Sequence, residues 1–269
     1  MDKVACFGLT EPTNGSDATG MLTTATKTEG GWLLNGRKRW IGNAPFADYI
    51  TVWAKNVNDG NKVQGFVVEP KNTKSGLKIS KIENKYSLRL VQNADIEMKD
   101  VFVPDNNKLT KATNFATGTN VILESSRLGV AWMVAGVGCG AYEAALKYCL
   151  KRNQFGRPIA KFQLIQEKLS RMLAANEMVL SHLIQVSQLM DAGKCTMGQV
   201  ARAKAHASLV VREVCQLARE VCGGNGIILD NHVMKCLMDI EGMYTYEGTY
   251  EINSLVSGRE LTGGLAAFK

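Results

Sequence analysis

Apolar positions recur with two different periods along this 269-residue chain, and the change falls near residue 106. Before it the runs are short and β-like. Residues 49–54 and 64–68 are rich in β-branched and aromatic side chains, and 95–103 alternates before stopping at Pro104. Residues 32–34 and 37–41 flank Asn35-Gly36, a dipeptide suited to the positive-φ positions of a two-residue hairpin turn. The pattern predicts a small antiparallel β domain over 1–106. From 107 to 269 the period lengthens. Phe162, Ile165, Leu169, Met172, Leu173, Val179, Leu183 and Val186 recur at helical spacing. A second such run over 201–221 meets a glycine stop at Cys222-Gly-Gly-Asn-Gly226. Pro158 suits the opening of the helix through the 160s, and Thr249 suits the cap of a last helix ending at Leu261 before Thr262-Gly-Gly264. The predicted fold class is α+β, a β domain followed by a helical bundle.

Composition narrows the function without selecting it. With 45% hydrophobic and 21% charged residues the chain has material for a core and is neither disordered nor fibrous. The nearly uncharged stretch 128–142 is shorter than the ~20 residues of a membrane span and reads as a buried helix. No signal-peptide pattern precedes the first loop. Seven cysteines are scattered without a Cys-x-x-Cys pair, which predicts free thiols in a reducing compartment and no zinc site. His182, His206 and His232 share no metal-ligand spacing, so no metal is expected. The net charge is +7, but Lys and Arg are spread along the chain, which argues against a nucleic-acid face. A mild positive field also suits a polyanionic small molecule, such as a nucleotide cofactor or a CoA thioester.

Several short motifs each admit a structural and a chemical reading. Tyr246-Glu247-Gly248-Thr249 sets one carboxylate between rings and a glycine. That is the start of a helix with an acid near its positive end, or a general base whose partly apolar surroundings resist ionisation. Phe7-Gly-Leu-Thr-Glu-Pro-Thr-Asn-Gly-Ser-Asp17 is an Asx-type surface turn or a backbone cradle for a phosphate or ring edge. Trp40, in Arg39-Trp-Ile-Gly-Asn43, is core or a wall for a planar ring. Arg152, in Lys151-Arg-Asn-Gln-Phe-Gly-Arg157, is a solvated helix end or a pyrophosphate ligand. Gly223-Gly-Asn-Gly226 is a helix stop or a place where backbone meets a nucleotide.

In this order, Leu9-Thr-Glu-Pro-Thr-Asn-Gly-Ser-Asp17, Arg39-Trp-Ile-Gly-Asn43, Arg152-Asn-Gln-Phe-Gly156, Cys222-Gly-Gly-Asn-Gly-Ile227 and Tyr246-Glu-Gly-Thr249 resemble the acyl-CoA dehydrogenase and oxidase flavoproteins across essentially the whole chain. Glutaryl-CoA dehydrogenase and plant short-chain acyl-CoA oxidase are the nearest types. The resemblance implies FAD-dependent α,β-dehydrogenation of a short-chain acyl-CoA, with Glu247 removing the α-proton and Gly248 beside the thioester. It implies that Leu9, Thr10, Gly15 and Ser16 contact the flavin and its ribityl or phosphate groups, Ser16 lying also near the CoA arm. Trp40, Ile41 and Gly42 would line the flavin. Arg152, Phe155, Gln163, Gly223 and Gly224 would reach the FAD of a neighbouring subunit. Thr249 and Glu251 would follow the base onto FAD, and Glu124 and Arg127 would touch the CoA chain. A homodimer or homotetramer is implied, with electron-transfer flavoprotein or O2 as acceptor and the mitochondrial matrix or peroxisome as compartment, although Ala266-Ala-Phe-Lys269 is no peroxisomal tripeptide. Gly42 stands where many members carry Thr or Ser, and Glu220 where some carry Gln. The family's first helical domain precedes the Leu9 loop, whereas this chain starts almost at the loop. A fragment, or an idle FAD- or CoA-binding scaffold, is therefore the alternative expectation.

Overall fold

The computed structural model describes residues 2–264. Two compact units form: residues up to Lys85 together with Arg89–Ile122, and Tyr86–Leu88 together with the chain from Leu123 onward. The boundary lies past the 106/107 expected from sequence. Lys108 bridges to Phe66, the Leu109 N–H donates to the Gly65 carbonyl, and Leu109, Ala112 and Phe115 pack with Trp53, so this stretch closes the first unit.

The first unit is a sheet of seven strands: β1 (Ala5–Gly8), β2 (Thr24–Thr28), β3 (Gly31–Gly42), β4 (Tyr49–Asn56), β5 (Lys62–Val68), β6 (Leu77–Lys81) and β7 (Asn93–Pro104). The order is β1-β4-β2-β3-β7-β6, and β5 lies along the other edge of β4. The long ladders are antiparallel, while β1 and β2 each meet β4 in parallel. Strand β4 explains its own composition. Ile50, Val52 and Ala54 fill one apolar cluster and Trp53 another, so both faces are buried and alternation disappears.

The hairpin expected at Asn35-Gly36 is elsewhere. Thr28 pairs with Gly31, so Glu29-Gly30 make the two-residue turn, with Gly30 at φ 70°. Asn35 and Gly36 lie inside the twelve-residue strand β3, at a bulge. Lys99 and Asp100 of β7 oppose Asn35 alone, and the Asn35 side chain closes the bulge through the Asp100 N–H and carboxylate. A Cβ on Gly36 would lie 2.5 Å from Thr23 Oγ1, so glycine here answers a close approach rather than a turn. A second bulge follows, in which Arg39 and Trp40 oppose Asp95.

The second unit is helical: α1 (Thr119–Lys151), α2 (Gln163–Asp191), α3 (Met197–Val221), α4 (Val233–Thr245) and α5 (Tyr250–Leu261), with a small hairpin β8 (Asn153–Gln154) and β9 (Arg157–Pro158) after α1. Pro158 thus ends a strand and precedes a 3-10 turn; α2 begins at Gln163. Helix α3 is the hub. Thr196 and Gln199 form its reciprocal capping box, and its Ala- and Val-rich inner face packs on α1, α2, α4 and α5. The apolar stretch 128–142 belongs to a 33-residue helix, so the sequence understated its length. Helix α1 is the one helix among the described residues long and apolar enough to cross a membrane. Val130, Ala131, Val134 and Ala135 nonetheless sit in the protein core beside α2 and α3, as in a core helix.

Candidate active site

In the first unit, the loop before β2 is fixed from within. The Glu11 carboxylate is buried and accepts hydrogen bonds from Leu22 N (2.6 Å), Thr23 N (2.9 Å) and Thr23 Oγ1 (2.5 Å). It also pairs with Lys38 Nζ at 2.9 Å, and that ammonium donates to the Leu9 carbonyl at 3.0 Å. Burial pulls Lys38 down to about 8, opposed by the Glu11 hydrogen bond and charge. Burial pushes the Glu11 carboxyl up, but its hydrogen bonds and Lys38 outweigh it and leave it below the ordinary value.

This anchor carries the expected flavin-facing residues. Leu9 and Ile41 turn their side chains into the core, so any ligand contact they make is through backbone. Thr10 is half-buried, and its carbonyl accepts the Arg39 N–H at 2.8 Å, which seats the loop beside the end of β3. Gly15 and Ser16 are exposed, and a Cβ on Gly15 would meet nothing. Trp40 has a left-handed φ of 65° and an indole 51% exposed, with the Arg39 guanidinium 4.9 Å from its ring. Gly42 is half-buried and has ordinary room for a Cβ, 3.5 Å from Val91 Cγ1. A half-buried and an exposed hydroxyl, an open glycine backbone and a half-exposed indole beside a guanidinium suit a flavin ring and its ribityl phosphate, so these residues fit FAD.

In the second unit, Glu247 occupies a strained turn between α4 and α5. Its φ is 54°, unusual for a residue with a side chain, and Gly248 follows at φ 86°. Asn253, fully buried on α5, donates its carboxamide to the carbonyls of Glu247 (3.2 Å), Gly248 (2.8 Å) and Thr249 (3.1 Å). Lys204 of α3 donates to the Tyr244 (3.1 Å) and Gly248 (2.7 Å) carbonyls. Arg127, 7% exposed, donates from Nε to the Glu247 carbonyl at 3.4 Å and directs Nη1 at Met197 Sδ (2.9 Å). The half-exposed Glu247 carboxylate receives the Ser126 hydroxyl at 2.8 Å. The carboxylate thus takes one hydroxyl and lies in the fields of Arg127 and Lys204, with the Tyr246 phenol also feeling its charge. Burial lowers Arg127, and Glu247 draws it back up. Burial and then the Glu247 charge raise the Tyr246 phenol. Thr249 caps α5 by accepting the Ile252 N–H (3.2 Å). Glu251 in the first turn is lowered by backbone and Thr249 hydrogen bonds.

Glu124 is half-exposed one turn before Arg127 on α1. Arg152, Phe155, Gln163, Gly223 and Gly224 are all exposed. Phe155 reaches 93% exposure and lies 5.9 Å from Phe162, edge to face. Asn225 donates to the Tyr148 hydroxyl at 2.9 Å, and the Tyr148 carbonyl accepts the Arg152 N–H, so the glycine loop and the end of α1 are tied together. Glu220, at the position where some family members carry Gln, pairs with Lys168. Among the described residues there is no cluster that could hold a metal ion.

Sequence reading missed the supports. Glu11 lies inside the Leu9–Asp17 motif and Lys38 shares the inward parity of Leu34, and both are buried. Lys204 interrupts a run of small buried residues on α3, and Asn253 follows the Thr249 cap by one helical turn. A charge or amide at a core position was the available signal.

Residues 6–101 match the acyl-CoA dehydrogenase middle-domain family and residues 117–262 the acyl-CoA dehydrogenase C-terminal-domain family. A caffeyl-CoA reductase–Etf complex subunit of Acetobacterium woodii is 36% identical over 94% of this chain and 67% of its own length. The crystal structure of glutaryl-CoA dehydrogenase from Mycobacterium smegmatis superposes with a TM-score of 0.94 at 35% identity, over 99% of this chain and 67% of that one. A glutaryl-CoA dehydrogenase from the same organism in complex with FADH2 gives 0.93 at 31% identity, over 98% and 67%. The chain thus spans about two thirds of the length of these relatives.

Proposed function

Since this chain belongs to the acyl-CoA dehydrogenase family, we propose that it oxidises a short-chain acyl-CoA to the trans-2-enoyl-CoA, with FAD as cofactor and Glu247 as the base. The observation that carries this reading is the construction of the Glu247 turn. A left-handed backbone is held by carbonyl contacts from Asn253, Lys204 and Arg127, while Ser126 orients the carboxylate. Such strain is retained where surrounding groups over-determine it, and it delivers one side chain in one direction.

Glu247 takes the proton from the α-carbon of the thioester. FAD, when bound, supplies the acceptor for the hydride that leaves the β-carbon. Gly248 lies beside the thioester, and Glu124 contributes on the CoA side. Arg127 keeps its guanidinium on the catalytic turn, so its part is to hold the base rather than the CoA chain. Thr10, Gly15, Ser16, Trp40 and Gly42 hold the flavin, with Leu9 and Ile41 contributing backbone. Arg152, Phe155, Gln163, Gly223 and Gly224 reach the FAD of a neighbouring subunit in a homodimer or homotetramer; their exposure, and the open space at both glycines, support this. Electron-transfer flavoprotein is the favoured acceptor, because one relative is by name a subunit of an Etf complex. Gly42, lacking a hydroxyl, keeps O2 as the second reading.

Anaerobic titration of the FAD-loaded chain with butyryl-CoA or glutaryl-CoA tests the reaction. The parent bleaches, and Glu247→Gln keeps its yellow flavin while bleaching about 10³-fold more slowly. Bleaching of Glu247→Gln at the parental rate would remove the base assignment. A parent that stays yellow with every acyl length would leave the FAD- or CoA-binding scaffold. Slow recolouring in air indicates electron-transfer flavoprotein; rapid recolouring with peroxide indicates oxygen.

A further inference from the structure

Lys204 is among the largest fully buried side chains of the protein, on a face of α3 made otherwise of Ala201, Ala205, Ala207 and Ser208. Stripping an ammonium of water costs several kcal/mol, and a methionine would fill the same space. The hydrogen bonds of Lys204 go to carbonyls: Tyr244, three residues before Glu247, and Gly248, one after it. The Gly248 carbonyl also receives Asn253, so two donors from different helices converge on the peptide that follows the base. Three charged groups face the ammonium: Glu247 of the turn, Arg127 of α1 and Glu251 of α5.

On the reading that Glu247 is the base, we propose that Lys204 is a positioning residue for it, fixing the backbone on both sides of Glu247 and setting a buried cation beside the turn. The amide donors of Asn253 constrain the turn without charge, whereas Lys204 links the turn to the carboxylate electrostatically. Burial brings Lys204 down to about 8, with Glu247 opposing and Arg127 reinforcing that fall. The ammonium is therefore present below pH ~8 and lost above it, and turnover falls along that limb.

Two variants separate the hydrogen bonds from the charge. Lys204→Met removes both; Lys204→Gln keeps an amide donor without charge. In the FAD-loaded chain, Lys204→Met lowers kcat about 10²-fold with KM within about threefold, as for a displaced but intact base. Lys204→Gln regains part of that rate but loses the alkaline limb near pH 8. Rates for both variants within twofold of the parent from pH 6 to 9 overturn the inference. If Lys204→Met does not fold, Lys204→Gln decides alone. Glu247→Gln is run in parallel. Parental bleaching by it overturns the base reading itself, whereas loss of bleaching there with unaffected Lys204 variants overturns only the role of Lys204. Should no form turn over, amide exchange across residues 244–249 decides. Faster exchange in both variants supports the clamp, and unchanged exchange overturns it.

Discussion

Glu11 and Lys38 show how one buried ion pair shapes a loop. The carboxylate satisfies two backbone N–H groups and a hydroxyl while neutralising an ammonium with no exposure of its own. Removing one partner of such a pair leaves an uncompensated charge, so Glu11→Gln is expected to cost about 3 kcal/mol in denaturant unfolding. The Glu11 carboxyl is held below its ordinary 4.5 in the folded state. Its contribution is accordingly full above that pH and disappears as pH falls through the lowered value; the parent loses stability there, and Glu11→Gln shows a flatter acid profile. At this scale the sequence displayed the proposed base better than its supports. Glu247 announced itself by the rings and glycine around it. Lys204, Lys38 and Asn253 act through burial, which depends on neighbours distant in sequence.

Helix α1 makes the element-scale argument, because its glycines are not equivalent. A Cβ on Gly138 would fall 2.3 Å from Asn176 Oδ1 and 3.1 Å from Val211 Cγ2, where α1 crosses α2 and α3. Asn176 also donates to the Gly138 carbonyl at 3.1 Å. A Cβ on Gly140 would meet nothing. Gly138→Ala should therefore lower the melting temperature by the equivalent of about 1–3 kcal/mol, and Gly140→Ala should raise it by up to about 1 kcal/mol. Thermal unfolding of the two variants checks the contrast. Long periodic elements were legible: α2, α3, α5 and strands β4, β5 and β7 lie where the pattern placed them. Short or exposed ones, β1, β2 and β6, carry too few apolar positions to show a period. The Asn35-Gly36 error has a specific cause, since asparagine followed by glycine suits a bulge as well as a turn, and only the partner strand decides between them.

For the molecule as a whole, thiols and net charge each have a physical consequence. All seven cysteines are free, and burial pushes Cys6 and Cys222 up to about 11, so both are unreactive at neutral pH. The net charge of +7 attracts a polyanion, and salt weakens that attraction. The KM for acyl-CoA is expected to rise severalfold between 50 and 300 mM salt; a flat KM would mean that the field takes no part. The motif order identified family and fold together, because five pieces spread over the chain must coincide, whereas no single piece carried that weight. The two bulges between β3 and β7 have a consequence at this scale. The first adds a residue to β7 and the second adds one to β3. They act as compensating frameshifts. Strand β3 enters and leaves the ladder in phase, and only its middle third, which carries Lys38 inward, reads one place out. Deleting Trp40 alone would set Arg39 against Asp95 and leave Ile41 opposite Ala94, so the far end of β3 would keep both its register and its faces. The sheet thus absorbs the loss of one residue at a bulge, and what disappears is the left-handed Trp40 with its half-exposed indole rather than the order of the strand.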